Sequence, residues 1–517
     1  MSPRKTAKKV ARKSGASTKK SAKKSSKPTA AAKKTIARKT VARKTVAKRL
    51  GTDGAAESGT GLRVRMYRVG FGDFFLVTVP TAAGDKFILI DCGVFKGKTG
   101  KGDIGSINEA VEDLFKTTNG ELALVIMTHR HADHIAGFNK AEDLFRKFTA
   151  SQVWMPYWEQ FNDDKDSAHS LQFEIEQLAM ELALRFRGRE DDESKEALAM
   201  LEDATGIDFN ATSAGPKKLS GNALALDILK NHLGAKGKKV RYYAAGDEPE
   251  LPEELDGLSA VILGPPPKDA QVFMKLEDLK KGVGQYLDST SAEDGSALRP
   301  FREQWTITAD EAYPQVDLRD RPINYHDVIQ HVARAQPSML ADAAKKVDDF
   351  LNNQSLVVLF KFAGKSLLFV GDAQAGNWEH WLYEADAPSS DPTKLGSIKD
   401  ESQQILRTID FYKVGHHGST NATPIQAVEA LSAGRKGDGF VAMCSTQPDV
   451  YGNPLKGTEV PRDPLMEALG GECDLVRSDA YAINTVANGT IEPGEGVPKP
   501  PKLRNLVKGD LYVEYSF

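Results

Sequence analysis

The chain has 517 residues, with 69 Lys+Arg against 71 Asp+Glu, for a formal net charge of −2. The near balance hides a split: residues 1–52 carry 19 Lys/Arg and no acid, leaving 50 basic against 71 acidic residues in 53–517. A hydrophobic content of 40% excludes a wholly disordered chain, three scattered cysteines exclude a disulfide scaffold, and no apolar run is long enough to suggest a membrane span.

The first 50 residues are almost wholly Lys, Arg, Ala, Ser, Thr and Val, and no aromatic residue precedes Tyr67. A five-residue repeat runs through Thr35-Ile-Ala-Arg-Lys, Thr40-Val-Ala-Arg-Lys and Thr45-Val-Ala-Lys-Arg. A period of five fits neither a helix nor a strand, and like charges repel, so 1–52 reads as a disordered tail and 53–61 as a Gly-rich linker. The composition resembles the Lys/Ala-rich tails of linker-histone-type proteins. Such a tail attracts polyanions by displacing the counterions of phosphates, which predicts nucleic acid as the partner of residues 1–50. The alternatives are a solubilising or localising segment, or one that folds back on the acidic body. Lys predominates over Arg and no apolar face or secretory stretch is present, so the expected location is cytoplasmic, with nucleoid or chromatin association through the tail and no membrane contact.

The body begins with Leu62-Arg-Val-Arg-Met66, which alternates as a half-exposed strand does. Strands are predicted at Phe74–Val79, Phe87–Ile90 and the continuous apolar run Leu122–Met127. A helix carrying Ile135, Phe138, Phe145 and Phe148 follows, and then a strand over Gln152–Trp158. Residues of about 160–235 read as a helical insertion, broken from a second at about 268–345 by strands at Lys239–Ala245 and Leu258–Leu263. Strands resume at Ser355–Phe362, Ser366–Val370, Phe411–Val414 and Gly439–Cys444, and Lys508–Phe517 reads as a final edge strand. Alternating strands and helices make the class α/β (or α+β) with both sheet faces covered. The cysteines, and Trp154, Tyr157 and Trp158, read as packing residues.

The strongest chemical signal is Thr128-His-Arg-His-Ala-Asp-His134, directly after a buried strand. His129 and His131 lie two apart on extended chain and can face one point, while Asp133 and His134, where a helix begins, can face a second. Imidazole with carboxylate suits zinc, manganese or iron. Two further strand ends carry ligand-type residues: Asp372 in Leu367-Leu-Phe-Val-Gly-Asp372, and His416 and His417 in Phe411-Tyr-Lys-Val-Gly-His-His-Gly-Ser419.

These motifs, with Val69-Gly-Phe-Gly-Asp73, Ile88-Leu-Ile-Asp-Cys-Gly93, Asn352-Asn-Gln-Ser-Leu356 and Tyr451-Gly-Asn-Pro454, run in order along the body. The chain resembles metallo-β-lactamase superfamily hydrolases, most closely the branch with the nuclease-like domain of ComEC-type competence proteins. The resemblance implies an αββα sandwich over 62–517 with two divalent ions, zinc or manganese. His129 and His131 would bind one ion and Asp133 and His134 the other, with Asp372 bridging. One of His416 and His417 would complete the second site, with His417 favoured and His416 left to contact substrate. Asp91 would hold the histidine loop, and Ser419 and Asn353 would bind substrate. The attacking group would be a hydroxide activated by both ions. Relatives often supply a third histidine to the first ion. Here His169, His232, His326 and His331 lie in the relevant interval, none at a strand end, so water, a non-His group or an insertion is left to complete that site.

The function implied is a phosphodiesterase or nuclease with nucleic acid recruited by the tail. A hydrolase of small esters, lactones or thioesters is the alternative. A third reading is a nucleic-acid-associated or defence-related interaction protein whose insertions bind a protein partner.

Overall fold

The computed structural model describes residues 60–95, 105–160, 178–179, 182–189, 191–205, 221–274, 337–386, 396–433, 440–452, 459–480, 506–508 and 511–517. The chain divides into two units, Met1–Ser58 and Gly59–Phe517, and every described residue belongs to the second. The expectations for the basic tail, residues 53–59 of the linker, and residues 161–177, 180–181, 190, 206–220 and 275–336 of the two inserted stretches lie outside the described residues.

Two mixed sheets stack face to face. The first has the order β13-β14-β1-β2-β3-β4-β5-β6, from β1 (Arg63–Tyr67), β2 (Phe74–Thr81), β3 (Gly84–Cys92), β4 (Glu121–Ile126), β5 (Thr149–Pro156), β6 (Val240–Tyr243), β13 (Leu506–Lys508) and β14 (Tyr512–Ser516). Strands β1 to β3 pair antiparallel and β3 to β6 parallel. The second sheet has the order β12-β11-β10-β9-β8-β7, from β7 (Ser259–Gly264), β8 (Val357–Phe362), β9 (Lys365–Phe369), β10 (Phe411–Lys413), β11 (Val441–Cys444) and β12 (Asp474–Arg477). It repeats the pattern: β7 to β9 antiparallel, β9 to β12 parallel.

Side-chain alternation explains the layering. On β4, Leu124 and Ile126 enter the inter-sheet core while Val125 and the following Met127 pack under helices, so the segment is apolar throughout. Phe75, Val77, Trp154, Phe360, Phe369 and Phe411 fill the space between the sheets, where truncating one aromatic to alanine costs about 3–5 kcal/mol. Outside the first sheet lie α1 (Ile107–Thr118), α2 (Ala132–Lys140) and α3 (Glu142–Phe145). The α1 stripe of Ile107, Ala110, Val111 and Leu114 follows helical spacing, and left-handed Asn119 stops it. Helix α4 (Asp192–Thr205) comes next, then α5 (Gly221–Asp227), which continues as a π-helical segment over Ile228–Leu233 and packs on the same layer. Further along come α6 (Pro337–Asn352), α7 (Ala375–Leu382), α8 (Asp400–Arg407), α9 (Ile425–Ser432) and α10 (Asp463–Glu472). Of these, α7 to α10 cover the outer face of the second sheet. The architecture is thus an αββα sandwich.

Helices α4 and α6, about 130 residues apart in sequence, share one cluster through Leu198, Leu201, Val347 and Leu351. No helix among the described residues is long and apolar enough to cross a membrane.

Three details depart from the sequence expectations. The strand expected over Gln152–Trp158 ends at Pro156, and Tyr157–Glu159 form a helical turn. The helix expected to carry Ile135 to Phe148 breaks at Ala141; Phe138, Phe145 and Phe148 still stack in one row, with ring centroids 4.5 and 5.1 Å apart. The C-terminal strand is not an edge: β14 pairs with β1 on one side and with β13 on the other.

Candidate metal centre

The chemistry-bearing residues gather at the C-terminal ends of β3 and β4 in one sheet and of β9 and β10 in the other. At the end of β3, Asp91 adopts φ +55°, and its carboxylate folds back on the next strand. Oδ1 accepts the Thr128 N–H at 2.8 Å, and Oδ2 accepts the Thr128 hydroxyl at 2.6 Å and lies 2.7 Å from His134 Nδ1. Gly93 must be glycine, because a Cβ there would overlap the backbone carbonyl of Asp133.

The segment after β4 is extended through His131 before α2 begins. Arg130 therefore points opposite to its neighbours, and its guanidinium makes a two-pronged contact with Glu159 at 2.8 and 2.9 Å. Lys230 Nζ reaches the same carboxylate at 2.9 Å. Burial alone would raise the Glu159 pKa, but Arg130 and Lys230 hold it well below its ordinary value. Anchored this way, His129 and His131 face the cluster with ring centroids 4.7 Å apart.

Three histidines of the cluster are held through Nδ1. His129 Nδ1 lies 3.3 Å from Ser355 Oγ and from Thr128 Oγ1, His134 Nδ1 meets Asp91, and His417 Nδ1 lies 2.7 Å from the Ser445 carbonyl. Their Nε2 atoms point inward. His134 Nε2 is 3.1 Å from Asp372 Oδ1, and His417 Nε2 is 2.9 Å from Asp133 Oδ2 and 3.5 Å from Asp372 Oδ2. Such outer partners fix tautomer and ring orientation in metal sites.

His416 and His417 both have positive φ, 46° and 51°, in a turn closed by the Ser419 N–H to the His416 carbonyl at 2.8 Å. Consecutive left-handed non-glycine residues cost of order 1–3 kcal/mol each and mark a constrained functional turn. The turn sends the two rings apart. His417 is fully buried, whereas His416 is 14% exposed, with Nε2 3.9 Å from Asp372 Oδ2 and Nδ1 3.3 Å from Gln374.

Among the described residues four groups of His and Asp could hold a cation. Asp133, His134, Asp372 and His417 each place one ligand atom within 4.8 Å of the others, and so do His129, His131 and Asp133. These two, the richest in inward-facing imidazoles, share Asp133; the other two are Asp73, Asp91 and His134, and His131, Asp203 and Asp348. All these residues are buried, and His129 Nε2, His131 Nε2 and Asp133 Oδ1 have no hydrogen-bond partner among the described residues. Buried polar atoms left unsatisfied are costly, and a divalent cation satisfies imidazole nitrogen and carboxylate oxygen together. The residues fit such an ion.

The protonation pattern follows. Burial, with the neighbouring histidines, pushes the His129 pKa well below its ordinary value, and burial holds His131 down to about 4. For His134 burial is outweighed by Asp372, Asp133 and Asp91, which raise it. Burial works against Asp372 as well, but His134, Lys413 and His417 keep it well below the usual carboxylate range.

Several contributors carried no assigned role in the sequence reading. Lys413 Nζ, buried, sits against the Asp73 carboxylate, 3.2 Å from Asp372 Oδ1 and 2.8 Å from the Gly371 carbonyl. Its signal was a lysine in the otherwise apolar run Phe411–Val414. Asp73 also accepts the Ser445 hydroxyl. Ser355 donates to or accepts from His129 and accepts the Asp372 N–H at 3.1 Å. Asp203 on α4 and Asp348 on α6 stand beside His131, and nothing in the local sequence of those helices marks them.

Ser419 and Asn353 lie outside all four groups. The Ser419 hydroxyl donates to Asn421 at 3.2 Å, and buried Asn353 accepts the Asn377 N–H at 3.0 Å, bracing α7. His232 Nε2 lies 3.2 Å from the Phe148 carbonyl, away from the cluster, while His169, His326 and His331 lie outside the described residues. Cys92, Cys444 and Cys473 are free thiols, the first two buried, and Trp154, Tyr157 and Trp158 are packed inside. Compared with known proteins, the chain matches no family model and no curated protein.

Proposed function

We propose that the folded body is a metal-dependent hydrolase of the metallo-β-lactamase type, acting on phosphodiester bonds, with the basic tail drawing nucleic acid to it. The observation that carries this reading is the convergence of Asp133, His134, Asp372 and His417 on one side and His129, His131 and Asp133 on the other, at matching strand ends of two stacked sheets. The ordered motifs from Val69 to Pro454 support the family, and two adjacent cation positions suit phosphoryl chemistry. Divalent ions held there would acidify a water molecule and stabilise charge developing on substrate oxygens.

The chain's own residues do the rest. Asp91, Ser355 and Ser445 hold the imidazoles in one orientation, and Lys413 sets a fixed positive charge behind Asp372. His416, at the rim, is the group placed to meet a substrate. Burial lowers its pKa, so at neutral pH it offers a neutral imidazole that can accept or pass on a proton at Nε2. Phe71 packs on the His417 ring at 4.2 Å and lies 6.0 Å from Tyr451, forming an aromatic wall beside the same turn.

A second reading, a hydrolase of small esters, lactones or thioesters, is favoured by the acidic excess of 53–517, which repels a polyanion. Full-length protein and residues 53–517 should be compared on single- and double-stranded DNA, RNA, a small phosphodiester and a small ester, with Mn²⁺ or Zn²⁺. Cleavage of phosphodiesters supports the first reading; turnover of the small ester alone would sink it.

A further inference from the structure

His131 differs from the other inward-facing histidines in what surrounds it. Its Nδ1 lies 3.5 Å from Asp203 Oδ2, and its Nε2 lies 3.8 Å from Asp348 Oδ1. The ring is 2% exposed, and Nε2 has no hydrogen-bond partner among the described residues. Both carboxylates are buried, and one ligand atom from each of His131, Asp203 and Asp348 falls within 4.8 Å of the others.

The two acids are held differently. Asp203 Oδ1 accepts the Asp133 N–H at 3.0 Å, so its Oδ2 alone is turned to His131 Nδ1. Asn222 Nδ2 ties this end of α4 to the histidine loop by donating to the carbonyls of Arg130, Asp203 and Ala204 at 2.8 to 3.1 Å. Asp203 therefore occupies, for His131, the place Asp91 occupies for His134. Asp348 Oδ2 accepts Asn352 Nδ2 at 3.1 Å, one turn along α6, leaving Oδ1 directed at Nε2. Two donors bound tetrahedrally to one cation at ~2.1 Å stand ~3.4 Å apart, close to the Nε2–Oδ1 separation of 3.8 Å. A direct hydrogen bond, with the proton on either partner, would instead bring the two atoms closer than 3.8 Å.

We propose that Asp348, delivered by helix α6, joins His131 as a ligand of the first cation, and that Asp203 is a positioning residue that orients His131 through Nδ1. The proposal rests on the two-cation reading of the centre. It makes helix α6, which runs out of the second inserted stretch, part of the site: a carboxylate takes the place open at the first ion, and α4 and α6, packed on each other, carry the pair. A negatively charged ligand there lowers the net charge of the centre relative to an imidazole.

The test is cation binding to full-length protein stripped with chelator, using Co²⁺ titration followed by its visible spectrum and by elemental analysis. Wild type is expected to take two ions. Asp348→Asn should keep one and weaken the other by roughly 10-fold or more, as His131→Ala does, and the double variant should lose no more than either single one. Asp348→Glu should recover part of the loss, and Asp203→Asn should weaken the same ion and alter its spectrum. Asp349→Asn, a neighbouring acid on α6, should bind both ions normally; equal loss in Asp349→Asn would reduce the effect to general charge and overturn the assignment. So would wild-type binding of both ions by correctly folded Asp348→Asn, or a third ion in wild type that Asp348→Asn alone removes. No ion bound by wild type would overturn the two-cation reading itself. Should Asp348→Asn fail to fold, Asp348→Glu decides: an unchanged Co²⁺ spectrum overturns the proposal, and a shifted one supports it.

Discussion

Asp91 Oδ2 lies 2.7 Å from His134 Nδ1, and the same carboxylate grips the backbone and hydroxyl of Thr128. One side chain at the end of β3 thus sets both the position of the histidine loop and the orientation of a ring within it. Asp91→Asn keeps the left-handed φ, which asparagine tolerates, but removes the charge that His134 leans on. Cation affinity should fall roughly 10- to 100-fold with the fold intact. Calorimetric titration checks this, and unchanged affinity would remove Asp91 from the site.

Asp372 contacts His134, His417 and Lys413 together. Asp372→Ala should abolish cation loading of the Asp133–His134–His417 group. Elemental analysis of purified, correctly folded variant is the measurement, and full loading contradicts the ligand assignment.

Acid sensitivity should track Glu159. In the unfolded chain this carboxyl takes up a proton near its ordinary value, 4.5, whereas in the fold Arg130 and Lys230 hold its pKa well below that. Its contribution to stability is therefore complete above about pH 4.5 and is lost as pH falls through the lower folded value. Glu159→Gln removes the negative charge shared by buried Arg130 and half-buried Lys230 and should cost about 3–5 kcal/mol at neutral pH. It should also flatten the acid limb of a plot of melting temperature against pH; an acid limb like that of wild type would show that the pair does not contribute there.

The 19 Lys/Arg of residues 1–52 set an expectation for salt dependence. Full-length protein should bind DNA and RNA with a steep loss of affinity as salt rises, without sequence preference, and residues 53–517 should bind far more weakly with a shallower slope. Equal slopes for the two proteins would assign nucleic-acid attraction, if any, to the body.

What was legible in the sequence was what is local. The run Leu122–Met127 followed by Thr128–His134 announces a buried strand and its ligand loop within a dozen residues, and Gly-Asp372 and His416-His417 end strands in the same way. Strand alternation also gave the layers, because each inward and outward set is written into consecutive residues. Relations between distant segments were not legible. Asp203 and Asp348 sit on helices whose local sequence differs in no way from a solvated amphipathic face, and only the packing of α4 on α6 brings them to His131. Lys413 was legible as an oddity, a charge in an apolar strand, but its meaning depends on Asp73 and Asp372 arriving from other strands. The C-terminal strand read as an edge because the hairpin partner Leu506–Lys508 is too short to signal itself.

The pairing of β1 with β14 has a consequence for how this body comes to exist. Arg63 lies opposite Ser516, the Phe517 N–H donates to the Leu62 carbonyl at 2.9 Å, and Thr60 Oγ1 donates to the Phe517 carbonyl at 2.9 Å. Strand β1 is made long before its partner β14 and waits for it. Until residues 512–516 emerge, one flank of β1 offers unsatisfied backbone groups to any passing strand, and closing so long a loop places the body among slow-folding topologies. Throughout that interval the 19 Lys/Arg of residues 1–52 have already been made, so the most cationic part of the chain precedes the closing of the body.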